Sequence, residues 1–190
     1  MSSPKLPPGQ KVVEHLPVLH FDGIPNIDIS KWSLRIFGLV KEEVELSYSE
    51  FIALPRVTVN LDVHCVTGWS KLGLTWEGVS TREIKRLVHP SPEARYVMVH
   101  SADGYATNLP LADFLAEDAL LAVKLNGRPL TPEHGFPVRL VVPELYFWKS
   151  AKWVVGIEFM AENKPGFWEA RGYHMRGNVW REERHGKQNL

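Results

Sequence analysis

One run constrains this chain more than any other. Val57, Val59, Leu61 and Val63 alternate with Thr58, Asn60 and Asp62, and the run ends at His64-Cys65. Successive strand side chains point to opposite faces, so this period of two predicts a strand with one buried face. It delivers Cys65 to the start of a Gly-containing loop, Val66–Gly73, where a rigid scaffold presents functional side chains. Further short runs predict strands at Trp32–Val40, Arg95–Ser101, Tyr105–Leu109, Ala119–Leu125, Val138–Val142 and Trp153–Met160. Asp103-Gly104 and Asn126-Gly127 are tight-turn dipeptides between them. Ser47-x-x-Glu50 and Ser80-x-x-Glu83 carry the capping-box pattern. They predict two short helices, one stopping before Pro55 and one at about Val88, before Pro90. With 14 prolines and 7 tryptophans, much of the chain must be loop and turn with aromatic rings packed around it. These elements predict an α+β domain of mixed sheets with short helices. At 190 residues one domain is expected. The boundaries read as an N-terminal arm over 1–16, a domain over 17–165, and an aromatic and basic tail over 166–190 packed on it.

Lys plus Arg total 22 and Asp plus Glu total 22, and the absence of a basic excess argues against nucleic acid as a partner. No apolar run reaches the roughly 18 residues of a membrane span. The N-terminal residues show neither an apolar signal core nor twin arginines, so a cytoplasmic location is expected. The single cysteine cannot form an internal disulfide, which fits a reducing compartment.

Cys65 reads as a buried thiol, a nucleophile or a metal ligand, and the last two need the thiolate. His64 is its neighbour, but adjacent strand residues face opposite ways. No C-x-x-C or H-x-x-x-H spacing supports a zinc site. A metal on Cys65 would therefore take most of its ligands from elsewhere, for instance an organic cofactor. A second constellation runs His134-Gly135-Phe136-Pro137-Val138-Arg139 and then Trp148-Lys149-Ser150-Ala151-Lys152-Trp153. Arg139, Lys149 and Lys152 face one nearby anion, Glu144, and suit a phosphate-bearing ligand. A solvated charged loop is the alternative. Tyr105 is either a hydrogen-bond donor in a pocket or a packed strand residue.

Together these stretches resemble the molybdopterin-binding domain of the sulfite oxidase family. The likeness rests on Leu120-Leu121-Ala122, Asn126-Gly127-x-Pro129-Leu130, His134 to Pro143, and Lys152-Trp153. It implies a single domain of that type holding molybdenum and molybdopterin, with Cys65 as the metal ligand. It implies that His134, Arg139 and the turn Ser150-Ala151-Lys152 hold the pterin and its phosphate, with Ser101 and His20-Phe21 beside them. Tyr105 falls where sulfite oxidases keep a tyrosine beside the metal. The loop Cys65-Val66-Thr67-Gly68-Trp69-Ser70-Lys71 departs from the sulfite oxidase pattern of glycine, asparagine and arginines. It is more similar to that of bacterial methionine sulfoxide reductase catalytic subunits. The runs at 145–153 and 166–169 are similar to a short sulfite oxidase-like oxidoreductase group.

The expected activity is oxygen-atom transfer to or from a small substrate, such as a sulfoxide, an N-oxide or a sulfite-like anion. Trp69, Lys71 and Trp148 are expected to form the substrate pocket. Electrons would pass to or from a separate protein, since no haem, flavin or iron–sulfur motif is present. Two alternatives are a non-catalytic molybdopterin-binding module and a metal-free cysteine hydrolase using Cys65 and His134.

Overall fold

The computed structural model describes residues 5–186. Eleven strands form two sheets in those residues. The first sheet is built on β4 (Arg56–His64) and β5 (Trp69–Ser80), paired antiparallel along their length. The C-terminal half of β5 pairs with β8 (Leu120–Leu125), which pairs with β10 (Arg139–Val141). Two short strands complete it: β1 (Lys11–Val12), parallel to the start of β5, and β9 (Arg128–Pro129), beside β8. The second sheet runs β3 (Val44–Ser47), β2 (Ser33–Gly38), β11 (Val154–Met160), β6 (Tyr96–Ser101) and β7 (Ala106–Pro110). Within it β11 lies parallel to β2 and antiparallel to β6. Mixed sheets with three short helices make this an α+β fold.

Alternation on these strands builds two apolar layers. Leu34, Ile36, Val97, Val99, Ile157 and Phe159 of the second sheet meet Val79, Leu121 and Leu140 of the first. The opposite face of the first sheet buries Leu74, Trp76, Leu120, Ala122 and Val141. Strands β8 and β10 thus meet apolar layers on both faces, and Leu120–Val123 and Leu140–Val142 read as continuous apolar runs. Gly78 permits the close approach of β5 to β8. A Cβ there would lie 2.1 Å from the Leu121 carbonyl oxygen.

The helices differ from their sequence patterns in one instructive way. Helix α1 (Tyr48–Ala53) carries the full capping box: Glu50 N–H donates to Ser47 Oγ and Ser47 N–H to the Glu50 carboxylate. Helix α2 (Thr81–Val88) has only the Ser80 half, because Glu83 turns to pair with Arg86. A third helix, α3 (Leu111–Phe114), was not expected from the sequence. The expected loop Val66–Gly73 is also shorter than its glycines suggest. Strand β5 resumes at Trp69, and Gly73, at φ +67°, sits in a bulge where its N–H donates to Asp62 Oδ1 at 2.8 Å. Among the described residues no helix is long and apolar enough to cross a membrane.

Candidate active site

Cys65 begins the turn between β4 and β5. Its N–H donates to the Trp69 carbonyl at 2.8 Å, and Gly68 N–H donates to the Cys65 carbonyl at 3.0 Å. This is a three-residue hairpin loop whose last residue needs positive φ, which Gly68 supplies at +94°. The Cys65 side chain is buried, and its sulfur accepts from Thr67 Oγ1 at 3.2 Å. Both ends of the chain grip this turn. In the arm, Gln10 Nε2 donates to the Cys65 carbonyl at 3.1 Å and Lys11 N–H to that of Gly68 at 2.9 Å. In the tail, the Arg184 guanidinium donates to the carbonyls of Val66 and Pro8. Neither Gln10 nor Arg184 was singled out in the sequence, for they lie in segments without a strand or helix pattern.

Cys65 opens into a cavity of about 340 Å³. Its walls bring together His20, Phe21, Ser101, Tyr105, His134 and Arg139, and also Trp69, Trp148, Ser150, Ala151 and Lys152. Thirteen candidate residues spread from 20 to 152 thus reduce to one hollow with a single absentee, Lys71. It stands one pleat repeat, roughly 6.6 Å, further along β5 than Trp69, and its ammonium donates to the Leu72 carbonyl at 3.2 Å. Lys149 also departs from expectation. It turns into the protein, where its ammonium meets Glu169 at 2.6 Å with both side chains fully buried. Burial pulls it down to about 8 against the upward pull of Glu169.

Four basic groups remain at the cavity: His20, and a cluster of His134, Arg139 and Lys152. Gly135, at φ +106°, makes the cluster possible: a Cβ there would meet Arg139 Cβ at 2.9 Å and Lys152 Cβ at 3.1 Å. The Arg139 guanidinium donates to the carbonyls of His134 (3.1 Å) and Ser150 (2.8 Å) and lies 4.3 Å from the Phe147 ring centroid. The Lys152 ammonium donates to the carbonyls of Leu19 (2.8 Å) and Glu133 (3.0 Å). Among the described residues neither cation has a carboxylate within 4.0 Å. Burial lowers Arg139 to about 9, and burial with the Arg139 charge lowers Lys152 to about 8. The same two causes lower His134. A buried Arg139 and a half-buried Lys152 whose hydrogen bonds go only to carbonyls suit an anion.

The remaining wall is aromatic. Trp148 stacks on Tyr146 and meets Tyr173 edge-on, and Tyr173 stacks on Trp168 at 5.0 Å. The Tyr105 hydroxyl donates to the Trp148 carbonyl at 2.6 Å. Burial, then the charge of Glu169, holds the phenol well above its ordinary range, so it stays protonated. His64 takes no part: its Nδ1 lies 2.7 Å from Ser70 Oγ, and burial lowers its pKa. Among the described residues no hydrogen bond joins Cys65 to a histidine; its sulfur takes the Thr67 hydroxyl instead.

Residues 20–168 match the oxidoreductase molybdopterin-binding domain family. The chain belongs to that family. It is 52% identical over 183 residues to the uncharacterized oxidoreductase YuiH of Bacillus subtilis (strain 168), covering 96% of this chain and 92% of that one. It is 28% identical to the protein-methionine-sulfoxide reductase catalytic subunit MsrP of Campylobacter jejuni, over 76% of this chain and 54% of the relative. In fold it resembles the sulfane dehydrogenase SoxCD from Paracoccus pantotrophus, with a TM-score of 0.69 and 22% identity. That match covers 75% of this chain and 41% of the other. Thus the chain spans about half the length of some relatives and nearly the whole of another.

The chain is a molybdopterin-dependent oxidoreductase of the sulfite oxidase-like type, and its cavity suits that cofactor. Among the described residues no three His, Cys, Asp or Glu side chains converge as a metal site. Cys65 therefore offers one soft sulfur, and the other donors must come from the cofactor. Arg139 and Lys152 offer positive charge, and His134 a hydrogen bond, to its phosphate. Ser101 Oγ is buried in the wall without a hydrogen-bond partner and is free to meet a pterin heteroatom.

Proposed function

We propose that this enzyme transfers an oxygen atom from a small neutral sulfoxide, releasing the thioether and water at the cost of two electrons and two protons. The electrons come from a separate protein. The observation that carries the substrate class is the placement of charge. Among the described residues the Lys and Arg side chains that line the cavity, Lys152 and Arg139, sit in one cluster with His134; His20 also lines it, and Lys71 does not. The rest of the hollow is lined largely by apolar and aromatic side chains, Trp69, Trp148, Trp168 and Tyr173 among them, with Asp103 and Glu133 as the acidic residues of the wall. An anion such as sulfite gains nothing from such a wall, whereas a neutral group flanked by carbon does.

When bound, the molybdenum cofactor supplies the two-electron oxygen-atom exchange. Cys65 holds it by one thiolate, in a turn fixed from both chain ends. Arg139, Lys152 and His134 bind its phosphate and orient it. Trp69 and Trp148 exclude water and strengthen the electrostatics inside the hollow. Tyr105 keeps its proton on the Trp148 carbonyl, so its oxygen is left as an acceptor that orients a donor in the cavity. Partner electrons are supported by the sequence, in which no second redox motif is found.

The test starts with enzyme from a molybdenum-replete host, with molybdenum and pterin measured per chain. Reduction of methyl phenyl sulfoxide by reduced viologen dye is then compared with sulfite oxidation by ferricyanide. Sulfoxide turnover without sulfite oxidation is expected. Sulfite oxidation alone, from fully loaded enzyme, would overturn the substrate class.

A further inference from the structure

The tail beyond the family segment carries a buried carboxylate that the chemistry above leaves unused. Glu169 opens the 3₁₀ turn Glu169–Arg171. Its Oε1 takes three donors: Lys149 Nζ at 2.6 Å, Trp148 Nε1 at 2.8 Å and Thr107 Oγ1 at 3.1 Å. Its Oε2 is buried with no partner. A buried ion pair is a poor device for docking a tail, because desolvation rivals the attraction and apolar residues of similar volume serve as well. This pair does something apolar residues would not. The indole it holds lines the cavity. Lys149 Nζ also donates to the carbonyls of Asn108 (2.7 Å) and Met175 (2.8 Å), which pins the 3₁₀ turn Phe147–Lys149 against β7 and the tail. The Trp148 carbonyl in that turn is the acceptor of the Tyr105 hydroxyl.

We propose that Glu169 is a positioning residue of the reaction site: it fixes the Trp148 ring directly, and Tyr105 through the pinned turn, and so sets how closely the cavity wall fits its substrate. The proposal rests on this cavity being the site of reaction. It follows that residues outside the matched family segment tune the fit.

The experiment uses the loaded enzyme labelled with 5-fluorotryptophan, its seven indoles resolved by ¹⁹F NMR and Trp148 assigned through Trp148→Phe. Glu169→Gln keeps an acceptor oxygen for the indole. Glu169→Ala removes it. The pair Lys149→Met with Glu169→Leu removes both charges at similar volume, so the tail can stay docked, which hydrogen exchange over 166–186 checks. The Trp148 resonance is expected to keep its place in Glu169→Gln, and to move and broaden in the other two. With those two, KM for dimethyl sulfoxide is expected to rise about tenfold, with a smaller change in kcat. A wild-type resonance and KM in the double variant with its tail docked would overturn the proposal, leaving Glu169 a mere staple. If Glu169→Ala does not fold, the other two variants decide. If the loaded wild-type enzyme does not turn over dimethyl sulfoxide, the substrate reading fails, and the Trp148 resonance still decides the role of Glu169.

Discussion

The cation cluster gives a prediction whose sign can be worked from the structure. Lys152 is held near 8 by burial and by Arg139, against an ordinary 10.5. In cofactor-free protein it is therefore mostly charged at pH 7 and mostly neutral at pH 9. If only the charged form holds an anion, affinity falls about tenfold over that range, on the order of 1.4 kcal/mol. Sulfate is a suitable probe because its charge is constant there. The protein's own stability moves the other way. Between 8 and 10.5 the unfolded chain binds more protons at this lysine than the folded one, so stability rises with pH across that window. The assay is the shift in Tm on adding sulfate, at fixed ionic strength, from pH 7 to 9. Lys152→Met corrects for the general stabilisation that sulfate gives any fold. The wild-type excess over Lys152→Met should shrink steadily with pH while the sulfate-free Tm difference shows the opposite trend. A pH-independent excess, or none at pH 7, would refute the reasoning.

Other expectations follow from single contacts. Cys65→Ser should abolish turnover while retaining most of the pterin, measured as the fluorescence of its released, oxidised form. Arg184→Ala removes the donors to Val66 and Pro8, at a cost of about 1–2 kcal/mol in chemical denaturation. It should also speed iodoacetamide labelling of Cys65 severalfold in cofactor-free protein. Gly78→Ala drives a methyl into the Leu121 carbonyl and the Ala122 Cα, at 2.1 and 2.6 Å. Separating β5 from β8 should cost about 3 kcal/mol, read from urea unfolding.

What the sequence made legible was local. Period two marked β2 and β4, short runs marked β6, β7, β8, β10 and β11, and Asp103-Gly104 and Asn126-Gly127 marked turns, because those signals act between near neighbours. Strand β5 was obscured where Gly73 reads as loop but sits in a bulge. The resemblance, not the spacing, gathered Cys65, Ser101 and Arg139 into one site, and the fold brings them to one cavity. Charge was the weakest guide. Arg139, Lys149, Lys152 and Lys71 look alike as letters, yet two face the cavity, one is buried on Glu169, and one caps its neighbour's carbonyl. The direction of a lysine depends on acceptors distant in the chain, as Glu169 is from Lys149.

That distance also explains why the arm and tail matter to the chemistry. A three-residue hairpin leaves carbonyls that its own strands do not satisfy, and a buried carbonyl without a donor costs free energy. At the Cys65 turn the Gly68 and Val66 carbonyls take their donors from Lys11 and Arg184, and Gln10 adds a second donor to the Cys65 carbonyl. At the Trp148 turn the donor comes from Tyr105 below, with Glu169 fixing the ring above it. Gln10, Lys11, Glu169 and Arg184 all lie outside residues 20–168. The matched segment thus carries the residues proposed to hold the cofactor, and the flanks hold two of the turns that carry the cavity wall. Two members of the family with the same cofactor residues and different flanks should then differ in substrate fit before they differ in cofactor content. Replacing the 166–186 segment of this chain by that of a family member whose segment differs, and measuring KM against molybdenum per chain, tests that order directly.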